Sequence, residues 1–257
     1  MQKVRNMLKT CDKDRWETAQ KSEKEFWEGY MTKNPVEEYG PVVQKKLDIL
    51  MKEWAKDFKI DEKSKILEVG CGGLSLINYF KTGKKYSIDP LADFFKDNFN
   101  IDYKSANLIK GTGENLPYPN NYFDWVILIN VLDHVYMPEK TLVEIKRVLK
   151  EKGVFYIEVQ YYQKRFLILS KIWGKFKKLF TGELFNINHP YMFSLGGARN
   201  LVSKYFNIIS ERKDRDLAEY MNLRELKKIR MKQRLSKKIP AIFGIYGNII
   251  YSAVCRK

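Results

Sequence analysis

The stretch Ile66-Leu67-Glu68-Val69-Gly70-Cys71-Gly72-Gly73 constrains this chain more than any other. Ile66, Leu67 and Val69 are apolar and partly β-branched, as in a central parallel strand covered on both faces. Three glycines in four positions then mark backbone that bends tightly and lets something approach where a Cβ would obstruct it. Leu74, Ile77 and Phe80 follow at helical spacing. The glycines are therefore expected at a strand-to-helix junction, with free backbone N–H groups pointing out beyond the strand's carboxyl end.

Around this junction the chain alternates strand and helix. Lys85 to Asp89 reads as a second strand ending in an acid, and Asp89 lies 19 positions after Gly70, where a nucleotide-binding α/β unit places a carboxylate for ribose hydroxyls. Alone, Asp89-Pro90 is also a common turn opener. Gly111 to Pro119 reads as a loop at a strand end, Phe123 to Ile129 as a buried strand with its tip at Asn130, and Val154 to Gln160 as the next strand. The helix between them carries Leu142, Ile145, Val148 and Leu149 on one face and is expected to end at Lys152-Gly153. Ser194 is expected to cap a later helix, Phe206 to Ser210 to be a sixth strand, and Asn248 to Val254 to close the sheet. The expected fold is α/β: a doubly wound, mostly parallel, seven-stranded Rossmann-like sheet with an N-terminal helical segment and basic helical inserts.

Residues 1–60 read as that helical segment, and 61–257 as one domain with inserts at 161–190 and 211–240. Trp16, Gln20, Glu23 and Trp27 share one helical face; Val43, Leu47, Leu50, Trp54 and Phe58 share another. Pro35 and Gly40-Pro41 are expected to separate the two helices. The tryptophans either anchor a helix to the core or make the segment a lid that lends the cleft aromatic walls.

Apolar residues make up 44% of the 257, enough for one large domain with a sizeable core. Cys11, Cys71 and Cys255 show no CxxC spacing, so neither a disulfide framework nor a metal site is expected, and a reducing cytoplasm is assumed. The segment MQKVRNMLKTCDKDR has charges where an export signal needs its apolar run. The uncharged stretch Ile239 to Cys255 contains Pro240, Gly244 and Gly247 and reads as loop and strand rather than a membrane span. The net charge is +16 and concentrates in the inserts: Tyr161 to Pro190 has six Lys/Arg against one Glu, and Glu211 to Pro240 has eleven against five acids.

Ser75 stands where a G-x-G-x-x-G dinucleotide fingerprint needs its third glycine. Instead ILEVGCGG, SIDP, GTGENLPYPNNYFDWVILINVLDHV and EIKRVLKEKGVFYIEV, in that order, resemble the class I S-adenosylmethionine-dependent methyltransferases, especially the small-molecule (quinone and glycan) branch. The resemblance spans about Lys65 to Gln160. It implies S-adenosyl-L-methionine as cofactor, with Glu68 and the Gly70, Cys71 and Gly72 backbone at its methionine end, Asp89 with Pro90 at the ribose, Thr112, Gly113 and Glu114 at the adenine, and Asn130 closing the site beside the methyl group.

A hydroxyl acceptor would also need a base. His134, with Asp133 beside it, and His189 are the candidates, each with the alternative of a structural role. The acceptor is expected to be a small molecule, a saccharide or a lipid-linked cell-envelope precursor. The basic amphipathic segment Lys164 to Phe180 either rests on an anionic membrane at its inner face, tracks nucleic-acid phosphates with Arg224 to Lys238 in an RNA methyltransferase, or is a solvated face. A methyltransferase fold that binds cofactor or a partner without catalysis is the remaining alternative.

Overall fold

The computed structural model describes residues 11–31, 36–53, 59–73, 75–98, 106–181, 189–213 and 249–257. Seven strands form one sheet: β1 (Lys65–Val69), β2 (Lys84–Asp89), β3 (Leu108–Lys110), β4 (Phe123–Ile129), β5 (Leu149–Tyr161), β6 (Asn207–Arg212) and β7 (Ile249–Arg256). Their spatial order is β3-β2-β1-β4-β5-β7-β6. Strands β1 to β5 run parallel, and β7 inserts antiparallel between β5 and β6. This is the doubly wound, mostly parallel sheet that the sequence predicts.

Side-chain alternation decides which face each residue serves. Ile66, Trp125, Ile127, Val154 and Tyr156 point to one face, where Leu47 and Leu50 of α2 (Val36–Glu53) and Leu76, Ile77 and Phe80 cover them. Leu67, Val69, Val126, Leu128, Phe155 and Ile157 point to the other, against Leu142, Ile145 and Val148 of α4 (Pro138–Val148) and Ala198, Leu201 and Val202 of α6 (Leu195–Ser203). A third small core around α3 (Ala92–Asn98) packs Ala92 and Phe95 on Cys71 and Leu108.

Three local expectations change. The element after the glycines is a single 3-10 turn, Leu76–Tyr79, and Leu74 lies outside the described residues. Gly40-Pro41 does not break α2, which runs through Pro41; the missing proline N–H costs the helix one bond, while Leu47 and Leu50 further along supply the docking face. The helix α4 ends at Val148, not at Gly153, because Leu149 already pairs with Phe123 and Trp125 next pairs with Val154, which throws the intervening residues out as a bulge. A Cβ on Gly153 would stand 2.7 Å from Leu149 Cδ1. Ser194 does cap α6, accepting the Gly197 N–H at 3.1 Å. Trp54, Phe58 and the basic run 224–238 lie outside the described residues.

Leu50→Ala should lower the unfolding free energy by about 2–5 kcal/mol in denaturant titration, because α2 loses its fully buried anchor, whereas Lys45→Ala on the exposed side of the same helix stays within about 0.5 kcal/mol.

Candidate active site

Because β1, β2 and β4 are parallel, their carboxyl ends bring Gly70, Asp89 and Asn130 to one edge of the sheet. The turn leaving β1 holds Gly70 at φ +69° and Gly72 at φ +57°, a left-handed backbone that side chains other than glycine rarely adopt. A Cβ on Gly70 would lie 2.4 Å from Val131 Cγ2, and one on Gly72 would lie 3.1 Å from the Trp27 ring. The expected outward N–H groups are not found at these two glycines. Gly70 donates to the Ile88 carbonyl at 2.8 Å and Gly72 to Asp89 Oδ2 at 3.0 Å, since positive φ folds both amides back onto β2. What these glycines lend the cleft is close approach.

Glu68 lies on the α2 side of β1, buried, and its carboxylate holds the exit of the turn: it accepts from Ser75 Oγ (2.5 Å), Leu76 N (3.2 Å) and Ile77 N (3.0 Å). The residue that broke the dinucleotide pattern, Ser75, is thus a ligand of this carboxylate. Glu68 acts on the site by positioning the turn. The Cys71 side chain is buried in the α3 core, so its side of the cleft is backbone, and burial pushes its thiol well above the ordinary range.

Asp89 is buried, with Oδ1 accepting from Leu91 N at 2.8 Å besides the Gly72 bond. Removal from water raises its pKa to about 6, against the relief these two amides provide, and Glu23 pushes in the same direction while His134 opposes it. A dry carboxylate this weakly supported gains from further hydrogen-bond donors, which two ribose hydroxyls supply, so the donor set fits the nucleoside end of the expected cofactor. Pro90 follows half-buried and opens the turn into α3.

The Gly111 loop is placed from beneath. Gly113 packs so closely that a Cβ would stand 2.7 Å from Thr141 Cγ2 and 3.1 Å from Val69 Cγ1. Glu114 is buried and accepts the Met137 N–H at 2.9 Å, at the start of α4, which ties this loop to the mouth segment 131–137. Thr112 is half-buried, its carbonyl accepting from Asn115 N. Asn130 has φ +54°, and its amide donates to the Glu158 carbonyl at 3.0 Å, so whatever Asn130 lends the cleft is not that N–H.

Asp133, His134 and His189 come together although 56 positions separate the first from the last. Asp133 is buried; its Oδ2 lies 2.7 Å from His189 Nδ1 and 3.9 Å from His134 Nε2, and its Oδ1 has no hydrogen-bond partner among the described residues. Burial alone would raise the Asp133 pKa, but the two imidazoles outweigh it and hold the carboxyl below its usual range. The two rings are 4.5 Å apart. A nitrogen of each and an oxygen of Asp133 lie within 4.8 Å of one another, a spacing that could accept a cation, which the sequence did not suggest. Two donors on one tetrahedral metal at about 2.1 Å would stand roughly 3.4 Å apart, so the 2.7 Å contact is that of a hydrogen bond instead.

The helix α1 (Lys13–Met31) lies across this group. Its stripe of Trp16, Gln20, Glu23 and Trp27 faces the site residue by residue: Trp16 Nε1 and Gln20 Nε2 donate to the His134 carbonyl (3.1 and 3.5 Å), Glu23 Oε2 lies 3.5 Å from His134 Nδ1, and Trp27 reaches Gly72. Arg15 donates to the His189 carbonyl at 3.3 Å. The periodicity had exposed this stripe, but not that Glu23 would partner a histidine. Tyr191 was missed altogether: its hydroxyl donates to the Tyr136 carbonyl (2.7 Å) and accepts from Cys11 N (2.8 Å), pinning the start of α1 to the mouth.

Residues 67–157 match a family model described as a methyltransferase domain. An uncharacterized protein of Methanocaldococcus jannaschii is 34% identical over 125 residues, 48% of this chain and 51% of that protein, so the chain spans about half the length of the curated relative it matches. Among solved structures, a Thermotoga maritima S-adenosylmethionine-dependent methyltransferase, described as a possible histamine N-methyltransferase, superposes with a TM-score of 0.54 at 18% identity, covering 94% of this chain and 100% of that one. The [4+2]-cyclase SpnF superposes with a TM-score of 0.54 at 15% identity, covering 83% and 80%. At these identities the structures carry the fold. The matched segment, residues 67–157, is similar to a methyltransferase domain, for which S-adenosylmethionine is the implied cofactor.

Hydroxyls donate to the ionised carboxylate, so affinity for S-adenosylhomocysteine, measured by calorimetry, should fall as the pH is lowered through about 6. Asp89→Asn should weaken binding and flatten that profile, whereas His134→Ala should keep the pH dependence but move it toward higher pH, since His134 holds the Asp89 pKa down. The stability of the apo protein runs the other way: the folded state holds this proton more tightly than the unfolded chain, so the Asp89 contribution falls as pH rises from 3.8 to about 6.

Proposed function

We propose that this chain is an S-adenosylmethionine-dependent O-methyltransferase acting on a small-molecule, saccharide or lipid-linked acceptor, with His189 as general base and Asp133 as the residue that orients it. The observation that carries the reading is the 2.7 Å contact between His189 Nδ1 and the buried Asp133 carboxylate. With the proton on Nδ1 and donated to Asp133, Nε2 keeps its lone pair and is the atom that takes a proton. The carboxylate also stabilises the imidazolium that results, because a buried anion beside a new cation gains attraction where water screens little.

The bound cofactor supplies a methyl group on a cationic sulfur that is electrophilic without further activation, so the protein's own work is alignment and proton removal. Gly70 and Gly72 give it room, Asp89 is placed for the ribose, and α1 closes over His134 and the glycine turn, which excludes water from the acceptor's side. His134 sits between Glu23 and Asp133 and serves as a wall and electrostatic neighbour of the base. That ordering reverses the weight that sequence adjacency lends His134.

A second reading follows from the likeness to SpnF, a cyclase on this fold: the cofactor site could serve another chemistry or a binding role. Incubation with methyl-labelled cofactor and separated saccharide, lipid and RNA fractions distinguishes these. Label in saccharide or lipid as an ether supports the proposal. Label in RNA would change the acceptor class, and no transfer to any fraction would favour the non-methylating reading.

His189→Ala should reduce turnover by roughly 10²–10⁴-fold and Asp133→Asn by a comparable factor, with S-adenosylhomocysteine affinity within about twofold. His134→Ala should cost less; the opposite order would transfer the base role to His134. Turnover is expected to survive chelator, and loss restored by a divalent cation would make the Asp133–His134–His189 group a metal site.

A further inference from the structure

The helix α5 (Lys164–Thr181) is inside-out. Its small-residue side is the covered one: Ser170 is buried and donates to the Leu167 carbonyl at 3.0 Å, Gly174 is half-buried, and Phe166 stacks on Tyr162. Its broad apolar side faces away: Ile168, Ile172, Trp173, Phe176, Leu179 and Phe180 are all exposed, Trp173 at 63% and Leu179 at 78%. At 100° per residue these six fall within one arc of roughly 140°. Exposed apolar residues elsewhere among the described residues, such as Val143 and Ile209, are scattered along the chain, as on any surface.

One border of this arc is cationic, and the exposed Arg165 lies within the arc in the first turn of the helix. Lys164, Lys171 and Lys175 are exposed along one edge, and the eighteen residues of the helix contain six Lys/Arg and no acid. That charge argues against two of the obvious covers. A second copy would place like charges against each other, and the chain's own segment 224–238 carries eight Lys/Arg against one Glu. A polyanion such as RNA would meet the lysines and leave the aromatic and aliphatic side wet. An anionic bilayer surface satisfies both, phosphates at the cationic border and acyl chains beneath the apolar arc. Among the described residues no helix is long and apolar enough to cross a membrane, so contact of this kind would lie in the plane of the interface.

Position adds the functional sense. Strand β5 is parallel to β4, and Glu158 near its carboxyl end pairs with Ile129 and accepts the Asn130 amide, so the chain leaves β5 for α5 on the edge that carries the glycine turn. The far side of the insert returns at His189. We propose that α5 docks this protein on the surface of an anionic lipid bilayer, apolar face down, which turns the mouth of the candidate active site toward an acceptor held in that membrane. The docking does not depend on methyl transfer. Only the lipid-held acceptor rests on the function proposed above.

The full-length protein is sedimented with phosphatidylcholine vesicles with and without roughly 30% phosphatidylglycerol, at about 0.1 M and about 0.5 M salt. The expected result is binding to the anionic vesicles, weakened by salt, and reduced roughly tenfold or more by Trp173→Glu with Phe180→Glu. Lys171→Glu with Lys175→Glu should remove the preference for anionic lipid. S-adenosylhomocysteine affinity, unchanged in these variants, shows that the fold and cofactor site persist. Lack of binding to anionic vesicles, equal binding by the Trp173/Phe180 variant, or a concentration-dependent dimer abolished by that variant would each overturn the proposal. Failure of methyl transfer with intact vesicle binding would count against the enzymatic reading alone.

Discussion

Two carboxylates taken out of water hold the glycine turn between them. Glu68 gathers Ser75, Leu76 and Ile77 on the far side of the turn, and Asp89 takes the Gly72 amide on the near side. A buried anion must be met by donors, and here the donors are the backbone that has to be shaped. The left-handed glycines follow from this, since only their backbone lets the chain pass between the two acids without collision at Val131 and Trp27. Everything else in the cleft is measured from that turn: the Gly111 loop below it, the Asn130 tip beside it, and α1 above.

The mouth is assembled by a second set of constraints, all of long range. Asp133 and His134 arrive from the end of β4, His189 and Tyr191 from the end of the insert, and Cys11 to Trp27 from the N-terminal helix. Each holds another in place. Tyr191 binds both Tyr136 and Cys11, Trp16 and Gln20 share the His134 carbonyl, and Asp133 orients His189. A pair of imidazoles beside one desolvated carboxylate is a perturbed titratable group of the kind that proton removal from a hydroxyl requires, which is the use the proposed function gives it.

The surface shows a different economy. Helix α5 keeps its apolar side chains on the outside while Ser170 and Gly174 are on its covered side, the reverse of an ordinary amphipathic helix. The proposed membrane contact accounts for that inversion and for the absence of acids along the helix by one cause.

What the sequence determined by itself is the part governed by near neighbours and by period. Strand β1, its glycines, the acid ending β2, the strand up to Asn130 and the Ser194 cap were legible because apolar alternation and turn chemistry act over a few residues. The face of α1 that meets the site was legible too, as a spacing of Trp16, Gln20, Glu23 and Trp27. Local signals misled where a competing contact was stronger: pairing of Leu149 with Phe123 ended α4 before its glycine, and the Gly70 and Gly72 amides turned inward because β2 offered an acceptor for each. Only the tertiary structure decided that Ser75 serves Glu68, that His189 rather than the adjacent His134 takes the close bond to Asp133, and that Glu23 faces an imidazole. Those pairings join residues from 7 to 111 positions apart on elements with different directions, and no period along the chain records which side chains a folded sheet will bring to the same edge.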